Sequence, residues 1–350
     1  MAKFTKSYHI DTDRMPWSAE SVGVETSKDF EEILEESGLN FEVEKAPAYD
    51  IIDFDRFLAN PLEKGNLRQI EGQFNVRRVD NHKILTPKTV SEIYTPCQNE
   101  DFFKMPRQLL EEGKVIIEAA GALGGGARPF LICRFVDSLD TDFRPDPDAP
   151  EDLVCPKIAF LGSHDGSATL TIRLVAYRLA CGNMLGNMNA VFNAAKRAHI
   201  GRTFKIRHTK TVHDRVFQAA NLLAGMREEW TATAGVMRKL VQYPADFKLM
   251  NNIIRDVVQG TDNEQRAMKE DELPTRTQNI IAGYMDMTNN PSLGTHGKTL
   301  WDVYNAVTAY NTHERNIRKG NSLFGNILEG AGSKAEERCL RILAPMVAEK

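Results

Sequence analysis

Two hydrophobic periods divide the chain near residue 211. Upstream, Leu170, Ile172 and Leu174 alternate with Thr169, Thr171, Arg173 and Val175. That period of two places one set on each face of a strand. Downstream, Val216, Ala219, Leu223, Met226, Trp230, Ala234, Met237 and Val241 recur at steps of three and four. Those steps trace one face of a helix of about 30 residues. A chain that passes once from strand to helix reads as α+β. The expected fold is an antiparallel sheet built from hairpins packed on a long helix, followed by a helical C-terminal part. Three regions follow: an N-terminal arm and short helix over 1–40, an α+β sheet domain with a basic face over 41–211, and a helical region over 212–350.

Two hairpins define the sheet. Val115–Ala120 and Phe130–Phe135 are apolar runs that flank GALGGGARP, Gly121–Pro129. The glycine-rich stretch reads as a flexible hairpin tip. Alternatively, its backbone N–H groups and Arg128 approach a phosphate backbone. In the second hairpin Ile158–Leu161 leads into Ser163-His164-Asp165-Gly166-Ser167, where Asp-Gly is a strong turn signal. The return strand puts Arg173 opposite the leucines, on a face expected to be open. Residues 1–25 read as a loosely ordered arm, and Asn99–Glu112 as a helix capped by Asn99. A further helix is expected over Asn183–Arg197, then a strand over Thr203–His208.

The 350 residues are 42% apolar and 26% charged, which excludes a chain disordered throughout. No apolar run is long enough to span a membrane. The polar N-terminus has no apolar core of a secretory signal. Cys97, Cys133, Cys155, Cys181 and Cys339 are too scattered for a disulfide framework or a zinc pair, and fit reduced thiols in the cytoplasm.

Charge placement says more than net charge, which is −4. Between Asp165 and Asp214 lie 48 residues without one acid. They hold Arg173, Arg178, Lys196, Arg197, Arg202, Lys205, Arg207 and Lys210, so this block is +8 and the rest of the chain −12. A long acid-free block in an acidic protein is a candidate surface for a polyanion. The simpler alternative is a solvated basic face paired with acids elsewhere. Asp137–Asp152, with seven acids and three prolines, reads as an exposed acidic loop that could screen the basic face. Phe204 and Tyr177 are candidates for stacking on bases, although Phe204 shares its expected face with Ile206, which favours a place in the core.

No motif points to catalysis. The glycine loop lacks the Lys-Ser/Thr of a phosphate-binding loop. His164-Asp165 sits on a turn that backbone geometry alone explains. No spacing marks a metal site or a catalytic pair, so catalytic residues, metal and cofactor are all expected to be absent.

FEVEKAPAY (Phe41–Tyr49), AGALGGG (Ala120–Gly126), SHDGS (Ser163–Ser167), RLACGNML (Arg178–Leu185), IRHTK (Ile206–Lys210) and TLWDVYNAVTAYNTHER (Thr299–Arg315) resemble, in this order, the phage and plasmid protein family known by the domain of unknown function 932. The resemblance runs from about residue 38 to the C-terminus. The family's tryptophan-histidine-glycine motif is missing; Met15-Pro16-Trp17 is its nearest trace. The resemblance implies a mobile-element context. A remoter likeness to phage single-strand annealing proteins implies rings or filaments of subunits. The leading expectation is a non-enzymatic protein that binds and anneals single-stranded DNA, with duplex a further ligand, in recombination or replication. Arg173, Lys205, Arg207 and Lys210 would hold phosphates, with Arg178, Lys196, Arg197 and Arg202 at the rim. Alternatives are a protein that redirects a host replication or recombination factor, and a metal-dependent nuclease.

Overall fold

The computed structural model describes residues 5–9, 21–23, 29–61, 63, 65–136, 143–145, 153–166, 170–178, 183–185, 204–206, 222–259, 272–289, 298–315, 327 and 330–348. The fold is α+β, with three helices among the strands and the longer helical run after the last described strand.

The main sheet holds β1 (Thr5–His9), β2 (Ser21–Gly23), β6 (Val115–Leu123), β7 (Arg128–Phe135), β8 (Val154–Leu161), β9 (Leu170–Arg178), β10 (Asn183–Leu185) and β11 (Phe204–Ile206). Its order is β10-β9-β8-β7-β6-β1-β2, with β11 on the same edge of β9 as β10. All pairs are antiparallel except β1 with β2. The expected loose arm therefore contributes two strands, tied by backbone hydrogen bonds to β6. Such ladders ask little of side chains, which is why no apolar pattern announced them.

A smaller sheet pairs β3 (Val43–Ile51), β4 (Leu67–Arg78) and β5 (Val90–Ser91) in that order. A short helix, α2 (Phe54–Ala59), joins β3 to β4 after α1 (Phe30–Glu36). This sheet is fastened to α3 (Asn99–Glu111) by one side chain. Gln98 Oε1 accepts from Val43 N at 2.9 Å, and Gln98 Nε2 donates to Val43 O at 2.8 Å. The amide thus substitutes for a neighbouring strand. Asn99, expected as the cap of α3, instead lies inside the helix and is buried. Its amide donates to Leu39 O at 2.9 Å.

The later helices are α4 (Leu222–Gln242), α5 (Phe247–Gln259), α6 (Thr275–Asn289), α7 (Leu300–Ala309) and α8 (Ala331–Ala348). Within α4 the expected stripe is buried at Met226, Trp230, Ala234 and Met237. Residues 212–221 of the expected longer helix lie outside the described residues. In α7 every residue from Leu300 to Thr308 is buried, so this helix has no solvent face. It starts with a capping box: Thr299 Oγ1 accepts from Asp302 N, and Thr299 N donates to Asp302 Oδ2 at 2.9 Å. Burying Trp301 contributes about 3 kcal/mol.

One hydrophobic core runs from Phe30 and Ile33 through Leu131, Phe160 and Leu174 to Trp230, Trp301 and Leu340. It is continuous across residue 211. That point separates strand from helix within a single core.

Candidate nucleic-acid interface

The tips of the two long hairpins lie side by side. Gly162 N donates to Pro129 O and His164 N to Ala127 O, both at 2.7 Å. Three successive glycines, Gly124, Gly125 and Gly126, have positive φ, the last at 113°. The tip is not a free loop, contrary to expectation. A Cβ on Gly126 would lie 2.9 Å from Phe41 Cζ. Arg78 stacks over that same Phe41 ring at 3.9 Å and pairs with Asp80. The backbone here packs against protein, so it is not an open cradle for phosphate. Arg128 is half-buried, with Nε 3.9 Å from Asp165 Oδ2.

The Ser163-His164-Asp165 turn is sealed as well. Ser163 Oγ donates to Asp165 Oδ1 at 2.6 Å, while His164 Nε2 lies 2.8 Å from Asn99 Oδ1. Ser163 and His164 are buried. The serine's proton is directed to the aspartate and the imidazole to an amide, which is the wiring of a structural turn. Burial, with the Asp165 charge second, raises the pKa of Tyr94, whose hydroxyl donates to Ser163 O at 3.4 Å.

The basic residues expected at one face divide among several places. Arg178, at the register position of Val154 and Asn183, is completely buried with its guanidinium 5.6 Å from the Trp301 ring. A side chain with no exposed surface cannot rim a DNA site, so that expectation is corrected. Tyr177 is also buried and cannot stack on a base. Arg173 is half-buried on the opposite face of β9. That face is not open, because Phe130, Ile132, Val175, Tyr177 and Ile327 form a second apolar cluster there. Asn183–Leu185 is a strand antiparallel to β9 rather than the start of a helix. Lys205 lies in β11 at the register position of Thr171. Lys196, Arg197, Arg202, Arg207 and Lys210 lie outside the described residues. Most of the acidic loop does too, but Phe143 within it is buried, edge-on to Trp301 at 6.0 Å.

The second face of the sheet carries cations that sequence reasoning missed. Arg134 on β7 pairs in register with Lys157 on β8, and Arg173 pairs with Ala159, two residues along. Antiparallel register places all three on one face. Glu118 on β6 takes an ion pair from Lys157 and lies 3.2 Å from Arg134 Nε. Two cations thus pair with one carboxylate, and Arg173 lies further along the same face. The clue was the strand period: extending β8 back from Ile158 to Val154 brings Lys157 onto the Arg173 face. Both described edge strands of the acid-free block, β10 and β11, join β9 beside this face, at Ala176–Arg178 and Leu170–Ile172.

No group of three or more His, Cys, Asp or Glu that could hold a metal occurs among the described residues. No described helix is long and apolar enough to cross a membrane.

These features define an α+β protein built on a broad, mainly antiparallel sheet, with a cation cluster on its second face. Residues 88–328 match the family described as Domain of unknown function (DUF932), and the chain belongs to that family. The match begins after β4 and ends before α8, so FEVEKAPAY and the three-stranded sheet's β3–β4 hairpin precede it. Nothing among curated proteins or solved structures matches the chain.

Proposed function

We propose that this protein is encoded by a phage or plasmid and binds single-stranded DNA in the host cytoplasm, annealing strands during recombination or replication. The observation that carries this reading is the +8 acid-free block, whose three described strands are β9 and the two that pair with it, β10 and β11. Arg134 and Lys157, which ion-pair with Glu118, share a sheet face with Arg173 of that block. Phosphates recognise such a field without reading sequence, which leaves the bases free to pair. Duplex would bind more weakly through the same phosphates. The test is the annealing rate of complementary oligonucleotides with protein and EDTA present. Acceleration supports the reading; strand loss that EDTA abolishes supports a nuclease instead.

Self-association is part of the proposal. The β3–β4 hairpin and α2 expose Tyr49, Ile52, Phe54 and Leu58, the last two at 62%. Residues 49–71 carry five acids and three bases, complementary in sign to the +8 block. A contact between two different surfaces on successive copies closes a ring or extends a filament. Capture of a host recombination protein by the same arm is the second reading, favoured if mutating it leaves the oligomer intact.

A further inference from the structure

The helical part holds a second cluster of positive charge, remote in sequence from the acid-free block. Arg276 lies in the first turn of α6. Its guanidinium is 5.7 Å from the centroid of the Tyr310 ring. Tyr310 opens a π-helix, Tyr310–Glu314, which continues α7 and ends at Arg315. Arg315 N donates back to Tyr310 O at 2.9 Å. The third arginine, Arg338 on α8, is anchored by Nη1 donating to Val257 O at 2.8 Å in the last turn of α5. Arg276 feels the charges of both Arg315 and Arg338, so four helical elements bring three arginines into one neighbourhood. Single π-helical turns recur where side chains are re-aimed for function.

What singles the cluster out is an unfilled donor edge on Arg276. Arg276 Nε and Nη2 are both buried and neither has a hydrogen-bond partner among the described residues. That edge of a guanidinium is one that takes a carboxylate or phosphate through two parallel hydrogen bonds. Burial lowers the pKa of Arg276, and the charges of Arg315 and Arg338 lower it further. Glu314, next to Arg315 in sequence, does not relieve this. It lies 3.5 Å from the Cβ position of Gly283, two helical turns beyond Arg276, where burial and the charge of Asp286 raise its pKa. Like charges are thus gathered at both places. An arrangement that repels itself and leaves buried donors unfilled is costly in the free protein. An anion at the arginines would relieve both costs. The start of α6 adds the positive end of a helix dipole.

We propose that Arg276, Arg315 and Arg338 form a phosphate-binding site, with the buried edge of Arg276 as its bidentate donor. The phosphate group comes from a free phosphate compound or from the DNA backbone, and the chemistry of recognition is the same. The site shares no residue with the β-sheet face, so it stands or falls independently of the DNA reading.

The test is thermal unfolding of the full chain in phosphate-free buffer, titrated with sodium pyrophosphate against sodium chloride of equal ionic strength. The wild-type melting temperature should rise by several degrees with pyrophosphate and not with chloride. Arg276→Gln should bind pyrophosphate at least tenfold more weakly, about the cost of one charged hydrogen-bonding partner. Without ligand, Arg276→Gln should melt no lower than wild type, because it removes a repelled charge. Arg338→Gln, at an exposed position, gives the same reading if Arg276→Gln does not fold. Competition between pyrophosphate and an oligothymidine for the protein would assign the site to DNA; independent binding would assign it to a free phosphate compound. No pyrophosphate effect on the wild type, or an equal effect on both variants, overturns the proposal.

Discussion

Arg178 and Trp301, 123 positions apart in sequence, meet in the core with the guanidinium 5.6 Å from the indole ring. Both lie in stretches that carry the family likeness, and both are fully buried. The likeness at these positions therefore reflects the joining of β9 to α7. Arg178→Gln should lower stability by about 3 kcal/mol in urea unfolding, the scale for disturbing a buried charge. Its folded fraction should bind single-stranded DNA as wild type does. Weaker binding without a stability loss would contradict this placement.

The glycine tip yields two predictions of opposite sign. Gly126→Ala forces positive φ on an alanine and drives its Cβ into Phe41, so it should destabilise by about 1–3 kcal/mol. Gly235→Ala, in α4 with open space at its Cβ, should stabilise by about 0.5–1 kcal/mol. Chemical denaturation of the two variants measures both.

Burial pushes the Cys97 thiol up to about 12 and raises Cys133 and Cys339 well above the usual thiol range. Little thiolate forms at these sites at pH 8, so alkylating reagents should label them only after denaturant is added. Each folded thiol holds its proton more tightly than the unfolded one. Stability is therefore fully present below about pH 8.5 and falls as pH rises above it, by up to about 1.4 kcal/mol per pH unit for each thiol. Urea midpoints between pH 8 and 10.5 check the direction.

Phe54→Ser with Leu58→Ser should reduce self-association in sedimentation without lowering stability, because both side chains are largely exposed. Unchanged oligomers would assign the arm to a host partner instead.

Much of the fold was legible because its signals are local. Leu170, Ile172 and Leu174 showed β9, and the Met226–Trp230–Ala234 stripe showed α4. The Asp165-Gly166 turn marked the β8–β9 hairpin. What failed depends on distant packing. Asn99 looked like a helix cap, but His164 and Leu39 recruit its side chain. Asn183–Leu185 looked helical, but β9 offers it a strand edge. The alternation in β9 gave two faces correctly and could not tell that both are covered. Arg178 was the costliest case, since a basic residue suggests solvent until a core aromatic is found above it. The Arg276 cluster was not legible at all: its members lie in three separate helical segments, and only folding brings them together.

The central claim is met most directly by titrating a fluorescent single-stranded oligonucleotide across a salt series, for wild type and for Lys205→Glu with Arg207→Glu. If each protomer neutralises four to six phosphates, log K falls with log salt at a slope of about −3 to −4. The double variant should bind more weakly with a shallower slope. Absence of binding by the wild type at low salt would contradict the account.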